Sequence, residues 1–294
     1  MKWVEPFVKY LKYEKKYSAH TVTAYHKDID QFYQFMAIRY NLSDPVQVIP
    51  AHIRTWAVSM MTEQLSNKTI NRKISSLRSY FKFLKKNGHI SKSPLRQVIT
   101  PKIEKRLPSF VRESDMERGL RAPKDLSSFA VFRDYLVIEL LYQTGMRRSE
   151  LIQLKDEDIN LARKEVKVLG KGNKERIIPV TDRLIHLIST YQDMRKDEFG
   201  EVKEALIVTD KGKKVYPKFL YNLVRQWIGS YSTIEKKSPH IIRHTFATHL
   251  ANQGADLNAI KEFLGHSSLA ATQIYTHNTI DKLKGIYLKA HPRA

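Results

Sequence analysis

The stretch Glu165-Val-Lys-Val-Leu-Gly-Lys-Gly-Asn-Lys-Glu-Arg-Ile-Ile178 alternates apolar and polar residues on both sides of a glycine-rich turn, Gly170-Lys171-Gly172-Asn173. Period-two alternation interrupted by such a turn is the pattern of a β-hairpin. Nearly everything around it has helical spacing instead. An apolar helix spans about Phe129 to Gln143 and meets Thr144-Gly145, and a second helix begins near Arg147. Downstream the spacing predicts helices over about Arg183–Arg195, Lys218–Ile228, His240–Gln253, Leu257–Phe263 and Ala270–Tyr275, with a last one near Ile280–Leu288. The run Ala205–Val208 reads as a short strand joining the hairpin. The fold class of this part is therefore mainly α with a small β-sheet, an α+β domain.

Upstream the pattern is all helical. Val4, Phe7, Val8 and Leu11, then Tyr25, Ile29, Phe32, Tyr33 and Met36, then Ile53 to Met61, then Ile70, Ile74, Leu77, Phe81 and Leu84 give four amphipathic helices. Between the two regions Leu95–Pro108 is bracketed by prolines, carries four basic residues and has no helical period, which makes it a semi-rigid basic linker. The expected organisation is a separate all-α domain over residues 1–94, a linker over 95–109 and the α+β domain over 110–294. A length of 294 residues agrees with two domains at roughly 150 residues each.

The charge says what kind of partner to expect. Lys and Arg number 51 against 30 Asp and Glu, a net charge of +21, and residues 1–106 alone hold 20 basic against 7 acidic residues. That excess suits a polyanion gripped mainly by the helical domain. Lys68, Arg72, Lys73, Arg78 and Lys82 are placed on the exposed face of its fourth helix as candidate DNA contacts. The absence of cysteine excludes disulfides, thiolate nucleophiles and Cys-bound zinc. The most apolar window, Phe129–Tyr142, is interrupted by Arg133, Asp134 and Glu139, so it is a core helix and not a membrane span. The amino terminus lacks the apolar run of a signal peptide, and the expected location is the cytoplasm.

The polar clusters are cationic. They comprise Gly145-Met-Arg147-Arg148-Ser-Glu150, Gly170-Lys171-Gly172-Asn-Lys174, His240-Ile-Ile-Arg243-His244, Leu264-Gly265-His266 and Ile274-Tyr275-Thr276-His277. Metal-dependent nucleases display carboxylate clusters, and none accompanies the His240/His244 pair. Displacement at a phosphodiester needs positioning and charge stabilisation, which two guanidiniums supply without a metal. Arg147 and Arg243 suit that task, His240 shares a helical face with Arg243, and His266 adds a further donor. Lys171, on a flexible turn, suits protonation of a leaving alkoxide, with Lys174 a second lysine in the same turn. With no cysteine the nucleophile is a Ser, Thr or Tyr. Tyr275, nine residues after His266, is placed to receive the cationic neighbours a phenol requires.

Taken together, Thr144-Gly-Met-Arg147-Arg-Ser-Glu150-Leu, Gly170-Lys171-Gly-Asn-Lys-Glu-Arg, His240-Ile-Ile-Arg243-His-Thr-Phe-Ala-Thr-His, Leu264-Gly-His266-Ser-Ser and Tyr275 resemble the tyrosine recombinases, particularly the Xer type. Tyr17–Tyr25 and Leu77–Leu84 resemble the family's helical core-binding domain, and His291-Pro-Arg-Ala resembles Xer tails, so the likeness spans nearly the whole chain. It implies that Arg147 and Arg243 are the catalytic arginines, Lys171 the general acid, His240 and His266 activating donors and Tyr275 the nucleophile. Glu150 resembles the acidic residue that supports the first arginine. Met146, Arg148 and Ile242 depart from the commonest pattern without removing a functional group.

The resemblance further implies a 3′-phosphotyrosyl intermediate, exchange through a Holliday junction, and no need for ATP, metal or any other cofactor. It implies a C-shaped clamp on a double-stranded recombination site and a homo- or hetero-tetramer, with a paralogous recombinase and a DNA translocase among the family's partners. The segment after Tyr275, with Ile280, Leu283, Ile286 and Tyr287, suits a helix donated to a neighbour or one packed on its own chain. The expected role is chromosome dimer resolution. Rival readings are an integrase of a mobile element, a type IB topoisomerase, a catalytically silent DNA-binding protein and, more distantly, a Mg²⁺ nuclease.

Overall fold

The computed structural model describes residues 2–103, 109–121, 125–170, 175–265, 285–287 and 289–293. The chain forms two compact units, Met1–Arg106 and Leu107–Ala294.

The first unit is built from α1 (Val4–Lys9), continued by a π-helical turn over Tyr10–Glu14, and from α2 (Ala19–Tyr40), α3 (Pro50–Thr62) and α4 (Asn67–Lys86). The two long helices begin alike. Ser18 and Ser66 accept hydrogen bonds from the backbone N–H groups of Thr21 and Thr69, each at 3.3 Å, which satisfies one orphan donor at each N-terminus. α2 stops where Asn41 turns into the left-handed region. Phe7, Ile29, Phe32, Met36, Trp56, Ile74, Tyr80 and Phe81 fill the core between the helices. All four helices match the sequence pattern.

The expected linker is partly integrated into this unit. Leu95 and Val98 are buried in its core. Asn71 and Asn67 on α4 donate to the carbonyls of Pro101 and Lys102, at 2.9 and 3.0 Å. The boundary between units falls after Arg106, inside the stretch expected to be a linker, whose first part is held to this unit by two apolar side chains in the core and two asparagines of α4.

The second unit is organised around α6 (Phe129–Thr144), which is buried on almost every side. Preceding it is α5 (Glu113–Gly119); α7 (Arg148–Gln153), α8 (Asp182–Phe199), α9 (Pro217–Tyr231), α10 (Pro239–Asn252) and α11 (Leu257–Leu264) complete the helices. A three-stranded antiparallel sheet has the order β1 (Ile159–Asn160), β2 (Glu165–Leu169), β3 (Glu175–Pro179). Val166 faces Ile178 and Val168 faces Arg176 across the hairpin. All four are buried, so the inner face of the sheet carries one arginine among aliphatic residues.

The third strand is not the one expected. Ala205–Val208 does not join the hairpin; Leu206 N–H donates to the Leu154 carbonyl at 2.7 Å, and Val208 makes an isolated bridge to Lys214. The edge position beside β2 is taken by Ile159–Asn160, which is too short to show a period. The last described segment is helical over residues 285–287 and 289–290 and packs on its own unit. Tyr287 is buried, donates to Gln143 at 3.2 Å and stacks on His291. Ile280 and Leu283 lie outside the described residues. No helix among the described residues is long and apolar enough to cross a membrane.

Candidate active site

The site begins at the end of α6. Gly145 caps that helix with φ 58°, a conformation that glycine adopts without strain. A Cβ there would meet Phe246 Cδ1 at 2.5 Å, so the position is closed to larger residues by space as well. The chain then enters α7 with Arg147 as its N-cap residue. Glu150, three residues on, accepts from the Arg147 backbone N–H at 2.7 Å and from its guanidinium at 2.7 Å. Arg147 is therefore held at both ends by one carboxylate, and a second guanidinium nitrogen donates to the Gly265 carbonyl at 3.2 Å.

Arg243 arrives from α10. Its guanidinium donates to the carbonyl oxygens of Gly145 and Leu264, at 2.7 and 2.5 Å. The turn at the end of α11 thus supplies an acceptor to each arginine, Leu264 to Arg243 and Gly265 to Arg147. Neither bond neutralises charge, because carbonyls offer only dipoles. Burial, then Arg147 and Arg176, push the Arg243 pKa down to about 10, with Glu150 opposing. It remains a cation near neutrality.

His240 stands one helical turn before Arg243 and faces solvent at the rim. Partial burial first, and then Arg148, Arg243 and Arg147, lower its pKa below the ordinary 6.5. The imidazole is consequently neutral near pH 7 and keeps one N–H to donate.

The structure therefore brings together Arg147, Glu150, Arg243 and His240 among the residues singled out in the sequence. Lys171, Lys174, His266 and Tyr275 lie outside the described residues. The hairpin that carries Lys171 is paired up to Leu169 and Glu175. His266 follows directly on Gly265, the acceptor for Arg147.

One residue of the cluster was not anticipated. Arg176, on β3, is buried and forms a two-pronged bridge to Glu150, at 2.9 and 2.8 Å. Its Nε donates to the Phe263 carbonyl at 2.8 Å. The signal was its place on the inward phase of the hairpin alternation, where a charge needs a buried partner. Glu150 is that partner: burial alone would raise its pKa, but the hydrogen bonds and charges of Arg176 and then Arg147 prevail and lower it below 4.5.

The candidate DNA contacts on α4 divide. Lys68, Arg78 and Lys82 are exposed. Arg72 is half exposed and pairs with Asp28. Lys73 is not on the exposed face: its side chain is 9% accessible, it lies 3.4 Å from Asp28 and it hydrogen-bonds Gln31. Position 73 falls between Ile70, Ile74 and Leu77 on the core stripe of α4, and the acid on α2 compensates its burial.

Residues 109–281 match the family model for the phage integrase family, and residues 4–88 match the phage integrase N-terminal SAM-like domain. This chain belongs to the phage integrase family of tyrosine recombinases. It is 36% identical over 320 residues to the tyrosine recombinase XerC of Chlorobaculum parvum, covering 100% of this chain and 95% of that protein. Against the tyrosine recombinase XerC of Bacillus subtilis the identity is 36% over 296 residues, covering 99% and 97%. Membership of this family and type makes the chain a site-specific recombinase of Xer type that cleaves and rejoins DNA. The fold is shared with an XerH recombinase bound to palindromic difH in a post-cleavage complex (TM-score 0.71, 20% identity, 99% and 92% coverage). It is shared also with the Tn1549 transposon integrase in complex with a circular intermediate DNA (TM-score 0.73, 19% identity, 96% and 98% coverage).

Proposed function

We propose that this Xer-type recombinase resolves chromosome dimers at a short duplex site in the cytoplasm, with Tyr275 as nucleophile. The Tyr275 hydroxyl releases its proton to solvent as its oxygen attacks the scissile phosphorus, forming a 3′-phosphotyrosyl bond while the bond from phosphorus to the 5′ oxygen breaks. Lys171 delivers the proton that makes the leaving group a 5′-hydroxyl. Arg147 and Arg243 hold the nonbridging oxygens as charge accumulates on them, and His240 and His266 donate hydrogen bonds to the same phosphate. The freed hydroxyl of one duplex then attacks the phosphotyrosine of the other, so each bond broken is remade and no ATP is consumed.

The observation that carries this reading is the convergence of Arg147 and Arg243 on the Leu264–Gly265 turn, with the Glu150 carboxylate shared between Arg147 and Arg176. Arg147, Arg176 and Arg243 against Glu150 leave the cluster strongly cationic, which fits a phosphodiester gaining negative charge in an in-line displacement. The active assembly is a tetramer of four chains on two sites, with a paralogue or further copies of this chain supplying the partner protomers. Exposed Lys68, Arg78 and Lys82 contact phosphates of the site.

The test is strand exchange between two copies of a candidate site on one supercoiled plasmid, with and without a paralogue. Holliday junctions from wild type and none from Tyr275→Phe support the reading. Relaxation of plasmids lacking any such site, without junctions, would replace it with a topoisomerase.

A further inference from the structure

We infer that Arg176 is a positioning residue of strand cleavage, acting on the scissile phosphate through Glu150, Arg147 and the turn at the end of α11. This inference rests on the recombinase reading of the site.

Three observations meet at one guanidinium. Its two terminal nitrogens occupy both oxygens of Glu150, at 2.9 and 2.8 Å, which fixes the plane of that carboxylate. The same carboxylate holds Arg147 by backbone and side chain. The remaining nitrogen, Nε, donates to the Phe263 carbonyl at 2.8 Å and so ties strand β3 to the turn. That turn supplies the Leu264 carbonyl to Arg243 and the Gly265 carbonyl to Arg147. Gly265 fits closely over the same side chain: a Cβ there would meet Arg176 Cδ and Nη1 at 3.3 Å each.

The arrangement solves an electrostatic problem. A lone Glu150 would both orient Arg147 and cancel its charge, since a carboxylate and one guanidinium form a neutral pair. Sharing Glu150 with Arg176 keeps the orientation while leaving the pair of arginines net positive towards the phosphate. Arg176 is itself 4% exposed. It is therefore placed behind Arg147, not against substrate, and its influence passes through groups that do face the site.

Lysine at this position keeps the charge but offers a single nitrogen, which cannot span both carboxylate oxygens and the Phe263 carbonyl together. Arg176→Lys is expected to retain the fold and to bind the site within about threefold of wild type, while the single-turnover cleavage rate at saturating suicide duplex falls by about 30-fold. Arg195→Lys is the control. That arginine is an equally buried residue of the same unit, bridged to Asp156 and to the carbonyls of Ala205 and Leu206, and unconnected to the cluster. It is expected to leave the saturating rate unchanged. Should Arg176→Lys fail to fold, the paired replacement Glu150→Gln with Arg176→Met removes both buried charges together and is read in the same assay; cleavage at the wild-type rate from that variant would overturn the inference. A wild-type saturating rate for Arg176→Lys would also overturn it, as would an equal fall for Arg195→Lys. Absence of cleavage by wild type itself would instead strike at the recombinase reading beneath it.

Discussion

Arg176 and Glu150, 26 residues apart in sequence, form a two-pronged buried ion pair in which each nitrogen lies within 2.9 Å of its oxygen. Both side chains are almost wholly buried, at 4% and 2% accessibility. The pair joins the β-sheet to the start of α7, where Arg147 stands. The same contact therefore ties the sheet to α7 and fixes the carboxylate that holds Arg147.

Glu150→Gln leaves Arg176 buried without a counter-charge, and breaking a buried pair in this way costs roughly 3–5 kcal/mol. Urea unfolding followed by circular dichroism should show that loss. Wild-type stability should also depend on pH through this group. A carboxyl more acidic in the folded chain than its ordinary 4.5 stabilises fully above that value, and the contribution is lost as pH falls through the lower folded pKa. The Gln variant should lose that acid-side slope while retaining the slopes of other carboxylates.

Gly145→Ala tests the joint between α6 and the first arginine. Left-handed backbone costs an alanine about 1–2 kcal/mol, and a methyl group directed at Phe246 adds about 1–3 kcal/mol of overpacking. The Gly145 carbonyl that receives Arg243 moves with it. Expected are a fall in melting temperature and a cleavage rate reduced at least tenfold at saturating DNA. Wild-type cleavage from a stable variant would show that this carbonyl does not place Arg243.

His240 should titrate below 6.5 in an NMR pH series, because partial burial and Arg148, Arg243 and Arg147 all disfavour its cation. Arg148→Ala removes one of those charges and should move the midpoint upward. A midpoint unmoved by Arg148→Ala would mean that this arginine does not face the imidazole.

The basic residues of α4 should separate by experiment as they do by burial. Lys68→Ala, Arg78→Ala and Lys82→Ala should leave stability within about 0.5 kcal/mol. Each should also lower the slope of log affinity against log salt by about 0.9 for every phosphate the variant no longer neutralises. Lys73→Met should behave in the opposite way. It removes a buried donor to Asp28 and Gln31, costs about 1–3 kcal/mol of stability and leaves the salt slope unchanged.

Lys73 and Arg176 show where sequence patterning stops. The helices of the first unit are legible because Ile70, Ile74, Leu77, Phe81 and Leu84 repeat at helical spacing, and the hairpin because Val166, Val168 and Ile178 alternate. Both patterns assign a charged residue to solvent by default. Lys73 and Arg176 contradict that default because acids distant in sequence, Asp28 and Glu150, receive them, and no local period encodes a partner 45 or 26 residues away. The Ala205–Val208 run misled for a related reason. Its residues are buried and apolar as in a strand, but its backbone N–H at Leu206 goes to Leu154 at the end of α7, not to the sheet. In the site, Arg147, Glu150, Arg243 and His240 were readable from motif spacing; the carbonyl cradle at Phe263, Leu264 and Gly265 was not, since backbone acceptors carry no residue signature.

The most direct test of the central claim is covalent trapping. Wild type and Tyr275→Phe are incubated with EDTA on a nicked suicide duplex carrying a candidate recombination site, and protein–DNA adducts are resolved on a denaturing gel, with a gel shift verifying that each protein binds. The prediction is an adduct from wild type alone, undiminished by the chelator, with the 3′ phosphate joined to the peptide that contains Tyr275. An equal adduct from Tyr275→Phe, or none from wild type on a site it demonstrably binds, would contradict the assignment.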